Sequence, residues 1–286
     1  NRVGFEHKVI RLQYKEEIGL KAAIQNVCEQ AEQAVKSGTV MVVLSDRDIA
    51  QGELPVNAFM ATGAVHHHLV AKGLRCDSNI ILETGFARDP HHFAVLFGFG
   101  ATAVYPYLSY QVINDLIESG EMLIDPVDAK NNYRRGIGKG LLKILSKMGI
   151  STIASYRGAQ LFEAIGLADD IVDKCFVGVS SRIQGASYYD FQVDQALLAK
   201  EAWKARKAIE PGGLLKFVHG QEYHAFNPDV VTTVQRAVQS GDYGIYKEYA
   251  DLVNHRPFST LRDLFGISSK AKSIPLDQVE PMGEVV

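Results

Sequence analysis

Histidines are the first residues to test for chemistry, because His66-His67-His68 and His91-His92 crowd imidazoles into a short stretch of chain. On a helix, adjacent side chains diverge by about 100°, so three consecutive histidines cannot all face one ion. Neither group offers the i,i+4 pair that helical zinc ligands use. They read as hydrogen-bonded structural histidines, with no metal site. Two glycine-rich stretches also fail as phosphate cradles. Gly98-Phe99-Gly100-Ala101-Thr102-Ala103 has the dinucleotide spacing, but it follows a helix and opens a strand, the reverse of the required order. Gly136-Ile137-Gly138-Lys139-Gly140 lacks the hydroxyl residue after its lysine, and Tyr133 stands where the first glycine belongs. Cys28, Cys76 and Cys175 are scattered and form no CxxC pair, which excludes a disulfide framework and points to a reducing, cytoplasmic setting. No Ser–His–Asp, Cys–His or carboxylate-pair arrangement can be specified from spacing, so no residue is assigned a catalytic role.

More informative are the polar groups where apolar runs stop. These are Ser45-Asp46-Arg47, Glu83-Thr84-Gly85 with Arg88 and His92 beyond, Tyr105-Pro106-Tyr107, and Ser155-Tyr156-Arg157-Gly158. Parallel α/β folds place their ligand sites at such ends, although loops returning chain to water give the same pattern. Arg47 and Arg157 either clamp an anion or pair with Asp46, Glu83 or Asp48 in a buried network. The network is the favoured reading, and Arg157 is expected to meet a carboxylate.

The elements that must position these residues follow from patterning. The chain has 286 residues, 47% of them apolar, with 30 Lys+Arg against 33 Asp+Glu for a net charge of −3. That composition supports a globular core and gives no electrostatic case for nucleic acid. The longest aliphatic run, Val40–Leu44, is far short of the roughly 20 residues a membrane helix needs. After an extended start at 9–12, helical spacing predicts helices over 15–37 and 55–72, the latter opening at Pro55. A short helix is expected at 90–97, with others near 107–119, 130–148 and 157–165. Buried strands are expected at 39–44, 79–83, 101–105 and 150–154. Unbroken apolar strands imply a parallel sheet covered on both faces by crossover helices. Past about residue 175 the rhythm fails. Helices are expected at 190–209, 227–240, 243–254 and 260–265, followed by a linker from Ser268 without structure of its own. The basic stretch Trp203-Lys204-Ala205-Arg206-Lys207 reads as a solvated helix face.

Several colinear blocks resemble one family, the large (α) subunit of glutamate synthase. They are Ala64-Val65-His66-His67-His68-Leu69, Glu83-Thr84-Gly85-Phe86-Ala87-Arg88 and His91-His92-Phe93-Ala94, then the runs 139–152 and 155–167. Glu222-Tyr223-His224-Ala225-Phe226-Asn227-Pro228 and Thr260-Leu261-Arg262-Asp263-Leu264-Phe265 complete the set. The departures are Phe86, where an acidic residue is expected, and Tyr105, where Asn is usual before Pro106. The resemblance implies the central domain over residues 1–210, an incomplete (β/α)8 barrel-like relative of the FMN barrel. It also implies a mainly helical segment, 211–286, leading into the FMN-binding domain. In this family a glutaminase with a first-position Cys releases ammonia, which a tunnel delivers to an FMN site served by an iron–sulfur cluster. There 2-oxoglutarate becomes glutamate. The chain begins at Asn1, so a piece of something longer is expected, without the nucleophile. The resemblance carries no catalytic, cofactor or metal residue onto any position here. FMN and the iron–sulfur cluster belong to the parent alone. The implied role is a connector and ammonia-tunnel wall, with Ser45, Asp46, Arg47, His67, Glu83, Arg88, His92, Ser155 and Arg157 as structural or tunnel-lining candidates. The implied partners are the remaining domains of the same large subunit and a small electron-donating subunit; neither nucleic acid nor membrane is expected. Two alternatives stay open: a stand-alone α/β small-molecule-binding domain or enzyme with its site at the strand ends, and a module that docks a partner subunit.

Overall fold

The computed structural model describes residues 6–204, 212–269 and 272–285. The chain divides into two units, Asn1–Ala205 and Arg206–Val286. The boundary expected at 210/211 lies outside the described residues.

The first unit opens with β1 (His7–Arg11), β2 (Gln13–Lys15), α1 (Leu20–Lys36), β3 (Met41–Ser45) and β4 (Glu53–Pro55). It continues with α2 (Ala58–Ala71), β5 (Asn79–Glu83), α3 (Pro90–Gly98) and β6 (Ala103–Tyr105). Four strands form one parallel sheet in the order β1-β3-β5-β6, with Ile10 opposite Leu44 and Leu44 opposite Leu82. Sequential order with a helix at most crossovers is the winding of part of a β/α barrel. On one face Ile10, Val42, Leu44, Ile80 and Leu82 are sealed against Leu20, Ile24, Val27, Ala61 and Val65 of α1 and α2. Side chains alternate along a strand, so Val9, Val43 and Ile81 share the other face. There Val9 is 47% exposed and Val43 and Ile81 are only half-buried. The expectation of a sheet covered on both faces is thus corrected: these helices cover one face. Pro55 does not open α2 but pairs with Gln13 in the antiparallel β2–β4 ribbon, and the Asn57 side chain caps the helix by accepting the Phe59 N–H.

Next come α4 (Tyr107–Glu118), α5 (Pro126–Met148), α6 (Ile153–Tyr156), β7 (Glu163–Leu167), α7 (Asp169–Cys175), β8 (Ser180–Ala186) and α8 (Tyr188–Ala202). Here two expectations fail. Residues 150–154 form no strand, because the Thr152 side chain accepts the Ser155 N–H and starts α6. Ile150 and Ile153 instead pack on Ala94, Leu145 and Tyr156. The helix expected over 157–165 is blocked by left-handed residues, Gly158 at φ 70° and Gln160 at φ 53°. The chain extends instead, and β7 pairs in parallel with β8. The fourth strand of the main sheet is therefore β1. Gly63 is needed for α2 to meet α7, since a Cβ there would lie 1.8 Å from the Cys175 carbonyl oxygen.

In the second unit, α9 (Pro228–Ser240) and α10 (Tyr243–Asn254) form a hairpin turning at Gly241, φ 65°. Asn227 and Asp242 cap the two helices. Residues Leu261–Leu264 make only a 3-10 turn. The tail is not structureless: Leu276–Gln278 and α11 (Met282–Val285) are short helical turns. No helix among the described residues is long and apolar enough to cross a membrane.

Candidate functional site

At the C-terminal ends of β3 and β5 the structure brings Ser45, Asp46, Arg47 and Glu83 together. The Ser45 hydroxyl donates to Glu83 Oε2 at 2.6 Å, and Arg47 Nη1 meets Glu83 Oε1 at 3.2 Å. Asp46 is 1% exposed and accepts the Gly85 N–H at 2.9 Å together with the Thr84 hydroxyl. Burial raises the Asp46 pKa, opposed by those hydrogen bonds. The Tyr107 hydroxyl donates to the Asp46 carbonyl at 3.4 Å, and the Arg47 guanidinium lies 5.6 Å from the centre of its ring. Burial, then the Asp46 charge, raises the Tyr107 pKa. This arrangement ties loops to strand ends, with each hydroxyl held by a carboxylate: Ser45 by Glu83 and Thr84 by Asp46. In the following loop the Arg88 N–H donates to His92 Nδ1 at 3.2 Å, and Tyr133 donates to the Arg88 carbonyl at 3.0 Å.

His67 and Arg157 lie at the opposite end of the sheet, so Arg157 is not a strand-end residue and does not join this network. Its Nη2 donates to the Ala101 carbonyl at 3.3 Å, and among the described residues it has no carboxylate partner within 4 Å. The reason is the failed strand: Arg157 follows α6, which packs on α3, and reaches the start of β6 rather than the end of β5. Arg75 is its neighbour there. It donates to Ser78 O at 2.6 Å, Gly100 O at 2.8 Å and His66 Nδ1 at 2.9 Å. Burial first, then Arg75, His67 and Arg157, push the His66 pKa down to about 4. The His66 and His67 rings meet edge to face with centroids 5.0 Å apart. His68 turns away to Glu32 at 2.7 Å. Ser155 is exposed and, among the described residues, bonds only Thr152.

Sequence reasoning missed Arg75, whose signal is faint: an arginine in the turn before a strand, where free carbonyls need donors. Thr84 and Tyr107 stood in quoted strand ends, but nothing in their spacing revealed that both serve Asp46. Among the described residues no three His, Cys, Asp or Glu side chains form a metal-holding group. A cavity of about 40 Å³ lies behind His66, His67, Tyr156, Gln160 and Phe162. Cofactor-sized ligands occupy roughly 300–1,000 Å³, so these residues do not fit a flavin.

The glutamate synthase central domain family matches residues 1–168. The glutamate synthase [NADPH] large chain of Bacillus subtilis (strain 168) is 36% identical over 269 residues, covering 93% of this chain and 18% of its own length. The ferredoxin-dependent glutamate synthase of Cyanidium caldarium is 34% identical over 280 residues, with the same shares of 93% and 18%. The glutamate synthase [NADH] of Schizosaccharomyces pombe is 35% identical, covering 94% of this chain and 13% of its own. The chain thus spans less than a fifth of the length of these relatives. The recombinant flavin-binding domain of baker's yeast flavocytochrome b2 aligns over 64% of this chain and 39% of its own at 13% identity; the TM-score of 0.39 supports no argument. The chain belongs to the glutamate synthase family, and residues 1–168 match its central domain.

Proposed function

We propose that this chain is the connector of a glutamate synthase large subunit, walling an ammonia passage between a glutaminase site and an FMN site. One observation supports this reading beyond family membership: Val9, Val43 and Ile81 form an apolar sheet face that α1–α3 leave uncovered. A passage for neutral ammonia needs such a wall, because titratable groups or bulk water would trap it as ammonium. At one rim of that face Ser45, Arg47 and Glu83 hold one another beside Arg11, and His7 and Asn79 stand at the other rim. Arg88 and His92 belong to the loop beside the first of these rims. The parent's FMN and iron–sulfur cluster would be held by other domains of the same large subunit, and a small subunit would deliver electrons. The setting is cytoplasmic, in keeping with free Cys28, Cys76 and Cys175.

The test uses the intact large subunit carrying Ile81→Glu. Glutamate formation from glutamine should fall while formation from added ammonium salt persists, with free ammonia appearing in the medium. Equal loss from both nitrogen sources would overturn the wall reading. The chain alone should be colourless and should not hydrolyse glutamine; bound flavin or turnover would favour a stand-alone enzyme.

A further inference from the structure

Helix α5 holds a row of cations that no group in the described structure answers. Arg135, Lys139, Lys143 and Lys147 follow one another at i,i+4 spacing, which sets them in one row roughly 18 Å long. All four are exposed, and among the described residues none pairs with a carboxylate. Asp128, in the first turn, is the sole acidic residue of the helix. The row faces outward because the opposite side is committed. There Ile137, Leu141 and Leu145 pack into the apolar clusters, and a Cβ on Gly140 would lie 2.3 Å from the Pro90 ring. Like charges four residues apart destabilise a helix, so the row is carried against the stability of α5 itself. Gly136 and Gly138 flank Arg135 and Lys139. A Cβ at either would meet open space, so internal packing asks for neither, although each weakens the helix relative to alanine. What glycine does offer is a bare backbone that another chain can approach closely. Leu142, 66% exposed, stands one turn from Lys139.

We propose that the outer face of α5 docks an acidic protein surface. Its carboxylates would meet Arg135, Lys139, Lys143 and Lys147, and its backbone would lie close over Gly136 and Gly138. Charge complementarity of this kind sets partner choice and register. Leu142 supplies the apolar contact that a protein interface places among its charges. Other polyanions suit the face less well. The chain carries a net charge of −3, which repels nucleic acid and an anionic bilayer alike, and one leucine is too little for a membrane-seated face. This surface is independent of the ammonia-passage reading, since α5 takes no part in the sheet face that carries it.

The test measures fluorescence anisotropy of a labelled, alanine-based helical peptide with four glutamates at i,i+4 spacing and one leucine, titrated with the purified chain. A scrambled peptide of the same composition, duplex DNA and phosphatidylserine vesicles are the comparisons. Saturable binding of the matched peptide, at least about tenfold tighter than that of the scrambled one, supports the proposal. The double variant Lys139→Glu, Lys143→Glu should weaken it at least about tenfold, because attractions become repulsions. Lys8→Glu with Lys15→Glu changes net charge equally at exposed positions outside α5 and should leave binding within about twofold. The α5 variant should unfold no lower than the parent, since each new glutamate stands four residues from Arg135 or Lys147. A lower thermal midpoint would mean that the row serves the fold, and overturns the proposal. So do equal binding of the two peptides, equal loss in both double variants, no saturable binding of the matched peptide, and tighter binding of DNA or vesicles than of that peptide.

Discussion

At the C-terminal ends of β3 and β5, Arg47 faces Glu83 and the buried Asp46 is closed by Thr84 and Gly85. At the N-terminal ends of β5 and β6, Arg75 and Arg157 donate to backbone carbonyls, and Arg75 also to His66. The first end completes its own hydrogen bonding and needs nothing from outside. The second leaves the Arg157 Nε–H and the Ser78 hydroxyl buried without a hydrogen-bond partner among the described residues. Strand ends are the expected seat of ligands in parallel α/β folds, yet here the satisfied end is the expected one. The difference teaches that the two ends of one sheet hold their arginines by different means, carboxylates at one end and backbone carbonyls at the other.

The largest expected effect breaks the N-terminal end outright. Gly100 sits at φ 116°, and a Cβ there would lie 2.4 Å from His66 Nδ1. Gly100→Ala should lose about 3 kcal/mol, roughly a 5–10 °C fall in the thermal midpoint. Gly138→Ala is the control, because its Cβ would meet open space on α5; it should be neutral or gain up to about 1 kcal/mol. Equal midpoints for the two variants would mean that the close approach of residue 100 to His66 is wrong.

At the opposite end, Asp46→Ala leaves Thr84 and the Gly85 N–H without their acceptor and should lose about 2–3 kcal/mol in denaturant unfolding. Asp46→Asn keeps an acceptor and avoids burying a charge, so it should stay within about 1 kcal/mol of the parent. A loss for Asn as large as that for Ala would show that the carboxylate charge itself holds the loop.

The two ends also answer acid with opposite signs. The folded-state pKa of His66 is depressed from 6.5 to about 4, so its contribution is present above pH 6.5 and lost as pH falls from there towards 4. The pKa of Asp46 is raised above 3.8, so its contribution is present below that value and lost as pH rises through the folded pKa. His66→Gln should therefore flatten the fall in stability between about pH 6.5 and 4, while Asp46→Asn should make the protein lose more on acidification below its folded pKa than it otherwise would. Unfolding midpoints across pH 3–8, unchanged in slope for either variant, would dissolve the contrast.

Much of this contrast was readable beforehand, and the unread part has identifiable causes. Unbroken apolar runs at 79–83 and 101–105 announce strands, and Pro90 after Asp89 announces α3, because those signals are local. The N-terminal strand β1 is harder: Val9 is exposed and only Ile10 is buried, so its pattern resembles neither a buried nor a cleanly alternating strand. Residues 150–154 misled for the opposite reason, since Ile150 and Ile153 look like strand residues but pack between helices. The network of Ser45, Arg47 and Glu83 could be guessed from strand ends. The cluster of Arg75, His66 and Arg157 could not, because it joins residues far apart in sequence through backbone carbonyls that sequence does not distinguish.

The smallest expected effect tests how much the satisfied end depends on its visible ion pair. Arg47 and Glu83 are 3.2 Å apart, but their side chains are 44% and 22% exposed, so water screens much of the attraction. Half-exposed pairs of this kind contribute about 0–1 kcal/mol, and holding the long arginine in one rotamer offsets part of that. Arg47→Ala should therefore lower stability only slightly, and less at high salt, because the Ser45 hydroxyl still donates to Glu83 at 2.6 Å. The packing of Arg47 on the Tyr107 ring is lost as well, which keeps the value above zero. A loss approaching that of Asp46→Ala, insensitive to salt, would place the Arg47–Glu83 pair in a dry setting. The rim would then be a charged anchor of the fold, and the contrast between the two ends would rest on the carbonyl-bound arginines alone.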